Sequence, residues 1–397
     1  MAGIYVHIPF CKSRCIYCGF YSTTALDLRQ RYADALCKEM VLRRDYTQGW
    51  TGFDTVYIGG GTPSLLTPRQ LGQLFAQISS VYLQQPWAEA APSMEITVEC
   101  NPDDVTEDVA KALSQLCVNR VSMGVQTFND ERLQFLRRRH DAAQIPAAVK
   151  RLRDAGIDNI SIDLMYGLPG ETMADWQCDI DAALNLQVEH LSAYSLMFEE
   201  NTLLYRKMEA EKADGMAAHG CYQPIDEDLE RQMYETLIDR LAAAGYEHYE
   251  ISNFARHNTS ATVANPRTFR SRHNSSYWHD IPYVGLGAAA HSYDGSSRQW
   301  NVSDMSLYMT GIECGRPQFE REELDDDTLY NDRLTTALRT KDGLCIDSLD
   351  PQHAGYLMQQ ARKYEDQGLL ERTGNNLRLT RRGLFVSDMI ISDLMWV

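Results

Sequence analysis

The chain has 397 residues, 44% of them hydrophobic, and 38 Lys and Arg against 55 Asp and Glu give a formal net charge of −17. That length can bury a large core and accommodates roughly two domains, while the acid excess excludes a broad basic footprint for nucleic acid. No apolar run approaches the ~18 residues of a membrane span, and the opening MAGIYVHIPF is too short and uncharged for a secretory leader, so a cytoplasmic protein is expected.

Taken in chain order, six short apolar runs alternate with helical patterns. The runs are IYVHI (4–8), TVYIGGG (55–61), ITVEC (96–100), VSMGVQ (121–126), ISIDLMYG (160–167) and LSAYSL (191–196). Between them lie helix-like segments at 28–44, 67–83 and 106–117, and Thr67-Pro68 and Thr106-Glu107 read as helix starts. Strand and helix in alternation imply a parallel sheet, doubly wound or an incomplete barrel, with ligands at the carboxyl ends of the strands. Polar residues and glycines fall at those ends. The first run leads into FCKSRCIYCGF, where Cys11, Cys15 and Cys18 are spaced C-x3-C-x2-C.

Three thiolates so close together point to a metal centre. Zinc takes four ligands in structural sites, and His7 could complete a set with the three cysteines. A [4Fe–4S] cluster is usually held by four thiolates, so three would leave one iron free to bind something else. The other seven cysteines are isolated and read as reduced, mostly buried apolar residues. Further along, Gly59, Gly60 and Gly61 precede Thr62-Pro63 and either make a sharp turn or let backbone approach a ligand. Glu99 ends the third run, against the plainer reading of a surface carboxylate. Asp163 lies inside an apolar run, where an unpaired carboxylate would be costly to bury, so it needs a partner. Arg138 sits in RRRHD, which by itself reads as an exposed basic helix face.

The cysteine spacing resembles the signature of radical SAM enzymes. In that superfamily the open iron is chelated by the amino and carboxylate groups of S-adenosylmethionine (SAM). One electron from the cluster then cleaves the sulfonium to methionine and a 5′-deoxyadenosyl radical. YVHIPFCKSRCIYCGF, GGGTPS, VECNP, VSMGVQTFN and SIDLMYGLPGE together are similar to its coproporphyrinogen-oxidase-like branch, in the branch's order and over nearly the whole chain. The fold so implied is α/β, a partial TIM-like (β/α)6 radical SAM barrel with a small C-terminal helical, winged-helix-like domain. By the same likeness Cys11, Cys15 and Cys18 hold the cluster. Tyr5, Gly60, Gly61, Thr62, Glu99, Gln126, Arg138 and Asp163 fall on the positions that hold SAM, Arg138 suiting the methionine carboxylate and Asp163 the ribose. Tyr17 matches an aromatic position near the adenine.

Two groups of this branch differ at the cysteines. The oxygen-independent coproporphyrinogen III oxidases carry a fourth cysteine two residues after the third, and a long N-terminal arm. Here that position is Phe20, and ten residues precede Cys11. Both departures match the heme chaperones of the branch, to which EISNFAR (250–256) and RHNSSYW (272–278) are also similar. This implies heme as cargo, acceptor hemoproteins and an electron donor as partners, with radical decarboxylation of porphyrin propionates as the alternative function. HNTSATVANPRTF (257–269), between those segments, reads as a polar insertion.

The division expected is 1–320 for the barrel with its extension and 321–397 for the C-terminal domain. There GLLERTGNNLRLTRRG (368–383) reads as two strands around a Gly-Asn-Asn turn, with a final helix after Gly383. Residues 341–397 carry seven Lys and Arg against eight Asp and Glu, so the winged-helix pattern brings no basic DNA-binding footprint. As heme ligand the first candidate is His273, with Asn274 to orient the ring, Tyr277 and Trp278 to pack on the porphyrin and Arg272 to meet a propionate. The plainer reading makes His273 a satisfied polar residue. His291, in GAAAHSYD, is the second candidate, although its place after a glycine-rich strand points to the SAM pocket.

Overall fold

The computed structural model describes residues 2–215, 220–257 and 268–397. Residues 258–267, most of the expected insertion, lie outside the described residues. Six parallel strands run side by side in chain order: β1 (Ala2–Ile8), β2 (Phe53–Gly60), β3 (Glu95–Cys100), β4 (Arg120–Gln126), β5 (Asn159–Tyr166) and β6 (His190–Ser195). Each coincides with one of the six apolar runs. Their connecting helices begin as the sequence predicts. Thr67 caps Pro68–Ile78 in a capping box with Gln70, and Thr106 caps Glu107–Gln115.

The sheet continues past both edges of this core. The hairpin β7 (Tyr246–Glu250) and β8 (Asn253–Arg256) adds antiparallel to β6. On the other side β9 (Tyr283–Leu286) pairs parallel with β1, making a seventh parallel strand where six were expected. Then β10 (His291–Tyr293), β11 (Ser297–Asn301) and β12 (Phe319–Glu323) follow antiparallel, giving this sheet 12 strands among the described residues. Four residues, YVGL, are too few to announce a strand by period, which is why β9 escaped the sequence reading.

Side-chain alternation then creates the interior. Val6, Ile58, Val98, Val121, Met123, Ile162 and Leu191 are buried in the outer core. Their neighbours Tyr5, His7, Tyr57, Glu99, Ser122, Gly124, Asp163 and Ser192 face the opposite side of the sheet, where they line a cavity. At the amino ends of the strands the helix Arg272–Trp278 closes the floor, its first two backbone N–H groups donating to Glu95 at 3.0 Å.

A second core gathers Leu334, Leu338, Leu357, Leu377, Ile390 and Leu394. It is built from the helices Asp326–Ala337, Pro351–Asp366 and Ser387–Leu394 and the small sheet of β13 (Leu344–Cys345), β14 (Leu370–Thr373) and β15 (Asn376–Leu379). The hairpin and final helix are those read from 368–383. Arg381 ties this unit to the barrel side through Asp239 at 2.6 Å. Among the described residues no helix is long and apolar enough to cross a membrane.

Candidate functional site

A cavity of about 810 Å³ lies at the carboxyl ends of the parallel strands. The residues picked out for cluster and SAM, namely Cys11, Cys15, Cys18, Tyr5, Tyr17, Gly60, Gly61, Thr62, Glu99, Gln126, Arg138 and Asp163, all line it. Residues from five strands and their loops therefore meet in one space.

The cysteine loop follows β1 and is pinned at several points. The Cys11 N–H donates to the Thr23 carbonyl at 2.9 Å, and Ile16 N–H to that of Leu136 at 3.3 Å. Thr62 Oγ1 donates to Cys11 Sγ at 3.7 Å, and Arg138 Nη1 to Cys15 Sγ at 3.5 Å. Burial pushes the Cys11 and Cys18 thiols above their ordinary range. Among the described residues no three His, Cys, Asp or Glu side chains converge closely enough to hold a single metal ion. His7, the fourth ligand considered for zinc, has its ring engaged by Tyr5 Oη at 3.0 Å and the Tyr21 carbonyl at 3.1 Å. With its ring engaged in this way, His7 does not supply the fourth ligand that a structural zinc site takes.

The glycines at the end of β2 are required by close approach. A Cβ on Gly60 would come within 2.7 Å of the His7 ring, and Gly60 has φ +114°. A Cβ on Gly61 would sit 2.8 Å from the Phe10 carbonyl and 3.0 Å from Cys11 Sγ, so any side chain would displace the cysteine loop. Gly60 N–H donates to Glu99 Oε2 at 2.9 Å, and Tyr57 Oη to Oε1 at 2.7 Å. Glu99 is thus an interior group, not a surface carboxylate, and burial raises its pKa to about 7. Asp163 is raised to about 6, again by burial, with the Arg120 guanidinium opposing the rise. At the end of β4 a bulge leaves Gln126 at φ 72°, a left-handed backbone that costs free energy in a residue other than glycine and marks functional sites.

Of the three arginines in RRRH, the structure separates each. Arg139 pairs with Asp103 and Asp104 at 2.9 and 2.7 Å, and Arg137 is exposed. All three line the cavity, and Arg138 donates to Asn101 Oδ1 and the Gly124 carbonyl, both at 2.5 Å. Its Nε has no partner among the described residues.

Asn101 and Arg120 are among the cavity residues that the sequence reading missed. Asn101 bridges Arg138 and Thr62, donating to Thr62 Oγ1 at 3.1 Å; its place directly after the end of β3 was the available signal. Arg120 opens β4, where a charged residue reads as surface. It is 1% exposed, lines the cavity, and has no hydrogen-bond partner among the described residues for any guanidinium nitrogen.

The His273 ring lies in the floor, 1% exposed; it is not itself in the cavity lining, while Asn274 and Tyr277 on the same helix are. Nδ1 is hydrogen-bonded to Thr55 Oγ1 at 2.7 Å and Nε2 to Tyr277 Oη at 2.8 Å. Both ring nitrogens thus have hydroxyl partners in the ligand-free chain, and desolvation lowers the ring pKa to about 3. Arg272 pairs with Asp54 at 3.5 Å near the start of β2, at the floor and not among the cavity residues. His291, the second candidate, does line the cavity and is exposed.

Comparison with known proteins agrees with this architecture. The radical SAM superfamily profile matches residues 5–182, and that of the HemN C-terminal domain matches residues 324–386. A protein from Bacillus subtilis (strain 168) named heme chaperone HemW is 32% identical, covering 100% of this chain and 99% of its own. One of the same name from Mycobacterium tuberculosis (strain ATCC 25618 / H37Rv) is 31% identical over 99% and 94%. The structure of the radical SAM enzyme coproporphyrinogen III oxidase (HemN) from Escherichia coli superposes with a TM-score of 0.79 at 22% identity, covering 99% of this chain and 89% of that one. The radical SAM fold expected from the sequence is therefore present, and end-to-end kinship at this level assigns the family: this chain belongs to the HemW family of radical SAM proteins.

Proposed function

We propose that this protein is a heme chaperone that binds heme and passes it to acceptor hemoproteins, carrying a [4Fe–4S] cluster and SAM in the cavity. The observation that carries the reading is relatedness to proteins named heme chaperone along the whole chain, together with three thiols, an inward arginine and two interior carboxylates around one space. Cys11, Cys15 and Cys18 would hold three irons. Arg138 and Asn101 suit the carboxylate of SAM, Asp163 and Glu99 its ribose hydroxyls, and Gly60 and Gly61 a ligand pressed against bare backbone. When bound, these cofactors supply one-electron cleavage of SAM. The chain's own part is to fix the ligand, exclude water and keep two carboxylates poised near neutrality. An electron donor is required, and the site of action proposed is the cytoplasm. The barrel is assigned to residues 1–320 and the C-terminal unit to 321–397.

The test is anaerobic reconstitution followed by incubation with SAM, reductant and either heme or coproporphyrinogen III. Stoichiometric heme uptake without porphyrinogen turnover is the expected result. Formation of protoporphyrinogen would overturn the chaperone reading in favour of the oxidase, and bound zinc without acid-labile sulfide would overturn the cluster.

A further inference from the structure

We infer that Arg120 is a positioning residue for SAM: from the base of the cavity its guanidinium keeps Asp163 a carboxylate anion, able to accept from the ribose hydroxyls. This rests on the SAM-binding reading above and adds to it a residue outside the set that resemblance assigned.

Arg120 opens β4, where its Cα lies beside Thr97 of β3 and Asn159 of β5. The next residues on the same face of the strand are Ser122 and then Gly124, and Gly124 lies beside Asp163. A short side chain and a bare backbone thus leave the way open from Arg120 towards Asp163, and all four residues line the cavity. Arg120 is buried, and no guanidinium nitrogen has a hydrogen-bond partner among the described residues. Arginine keeps its charge inside proteins, so this side chain is a fixed cation, screened far less than one at a surface.

What surrounds the cation decides what it can do. The ionisable side chains that feel its charge are Tyr57, Glu99, Asp163, His190, Tyr249 and His273. Both histidines have a hydroxyl on each nitrogen, and burial keeps their rings neutral and the two tyrosines protonated. Only the two carboxylates can answer the positive charge. Glu99 already accepts from Gly60 N–H and Tyr57 Oη. Asp163 is faced by Arg120, Arg138, Glu99, Tyr57 and Tyr194. Of these two cations Arg138 is tied to Asn101 and the Gly124 carbonyl, which leaves Arg120 to act on Asp163. Burial raises Asp163 to about 6, and Arg120 heads the groups that oppose the rise. At that value the group is mostly ionised at neutral pH. Without Arg120 burial would hold the proton in place, and a protonated carboxyl has less capacity to accept from two hydroxyls.

SAM titration of the reconstituted full chain by calorimetry between pH 6 and pH 8.5, with iron and acid-labile sulfide assayed in each variant, tests the assignment. Arg120→Met removes the charge and keeps much of the length. It should weaken SAM binding about tenfold at pH 7, with the gap to wild type closing towards pH 8.5 and the cluster content unchanged. Arg120→Lys, which restores a cation, should stay near wild type. An analogue of SAM without the ribose 2′- and 3′-hydroxyls should bind wild type and Arg120→Met alike, and in an Asp163→Asn background Arg120→Met should cost nothing more. Unchanged SAM binding in Arg120→Met would overturn the inference. So would a loss that is equal at pH 7 and pH 8.5, is shared by the analogue, or persists in full beside Asp163→Asn. Loss of fold or cluster in both Arg120→Met and Arg120→Gln would make Arg120 a structural residue and overturn it as well. Failure of the wild-type protein to bind SAM would instead overturn the SAM reading, and the inference with it.

Discussion

The two ends of the barrel are made of the same residue types, arranged to opposite effect. At the floor, His273 is held between Thr55 and Tyr277, and His190 between Ser161 Oγ at 2.7 Å and Tyr249 Oη at 2.8 Å. Both rings are buried, and desolvation lowers the pKa of each. At the mouth, three thiols, two carboxylates with raised pKa, a strained Gln126 and an edge-open His291 surround open space. The two ends differ in whether a histidine's neighbours already engage both of its nitrogens.

The sharpest test of the contrast is at the cysteine loop. Cys15→Ala should reduce iron and acid-labile sulfide to background after reconstitution, because three thiolates leave no replacement. Cys178→Ala, at an exposed position on the helix Met173–Asn185, should leave both unchanged. Full cluster content in Cys15→Ala would remove the mouth's claim to be a metal site. At the floor the expectation reverses. His273→Ala should lower unfolding stability by roughly 3 kcal/mol in urea, since it opens a cavity and strands Thr55 and Tyr277. Unchanged stability would mean that the two hydroxyls do not depend on the ring.

This contrast also marks what the sequence could tell. The six central strands were legible because each apolar run is long enough to show itself between helix starts such as Thr67 and Thr106. The cysteine spacing, the glycines and Asp163 were legible because few structural roles demand those residues there. The choice among Arg137, Arg138 and Arg139 came from resemblance alone, as three adjacent arginines offer no local pattern. The burial of Arg120 and the partners of the His273 ring went unseen for a common reason. Side-chain environment depends on which end of a strand a residue occupies and on what packs over it from more than 100 residues away, as the helix Arg272–Trp278 does on Thr55. Local sequence holds no trace of that.

The smallest expected effect concerns the stability cost of the mouth. Glu99 has its pKa raised from 4.5 to about 7, chiefly by burial, with the Tyr57 hydrogen bond opposing. Between those values the folded chain keeps a proton that the unfolded chain has released. Stability from this group is therefore full below about pH 4.5 and is lost as pH rises to about 7. Asp163, raised to about 6, acts in the same direction over a lower window. Glu99→Gln removes the ionisation while keeping the shape, for the amide oxygen can accept from Gly60 N–H and the amide nitrogen can donate to Tyr57 Oη. In the ligand-free protein the variant should match wild type near pH 5 and exceed its stability by about 1–2 kcal/mol at pH 8, after allowance for partial exposure of the site. Its affinity for SAM should fall at the same time, the usual exchange between stability and a polar site held ready for a ligand. Parallel pH–stability curves for the two proteins would show that Glu99 is solvated as an ordinary carboxylate, and the difference between a strained mouth and a settled floor would then rest on Asp163 and Gln126 alone.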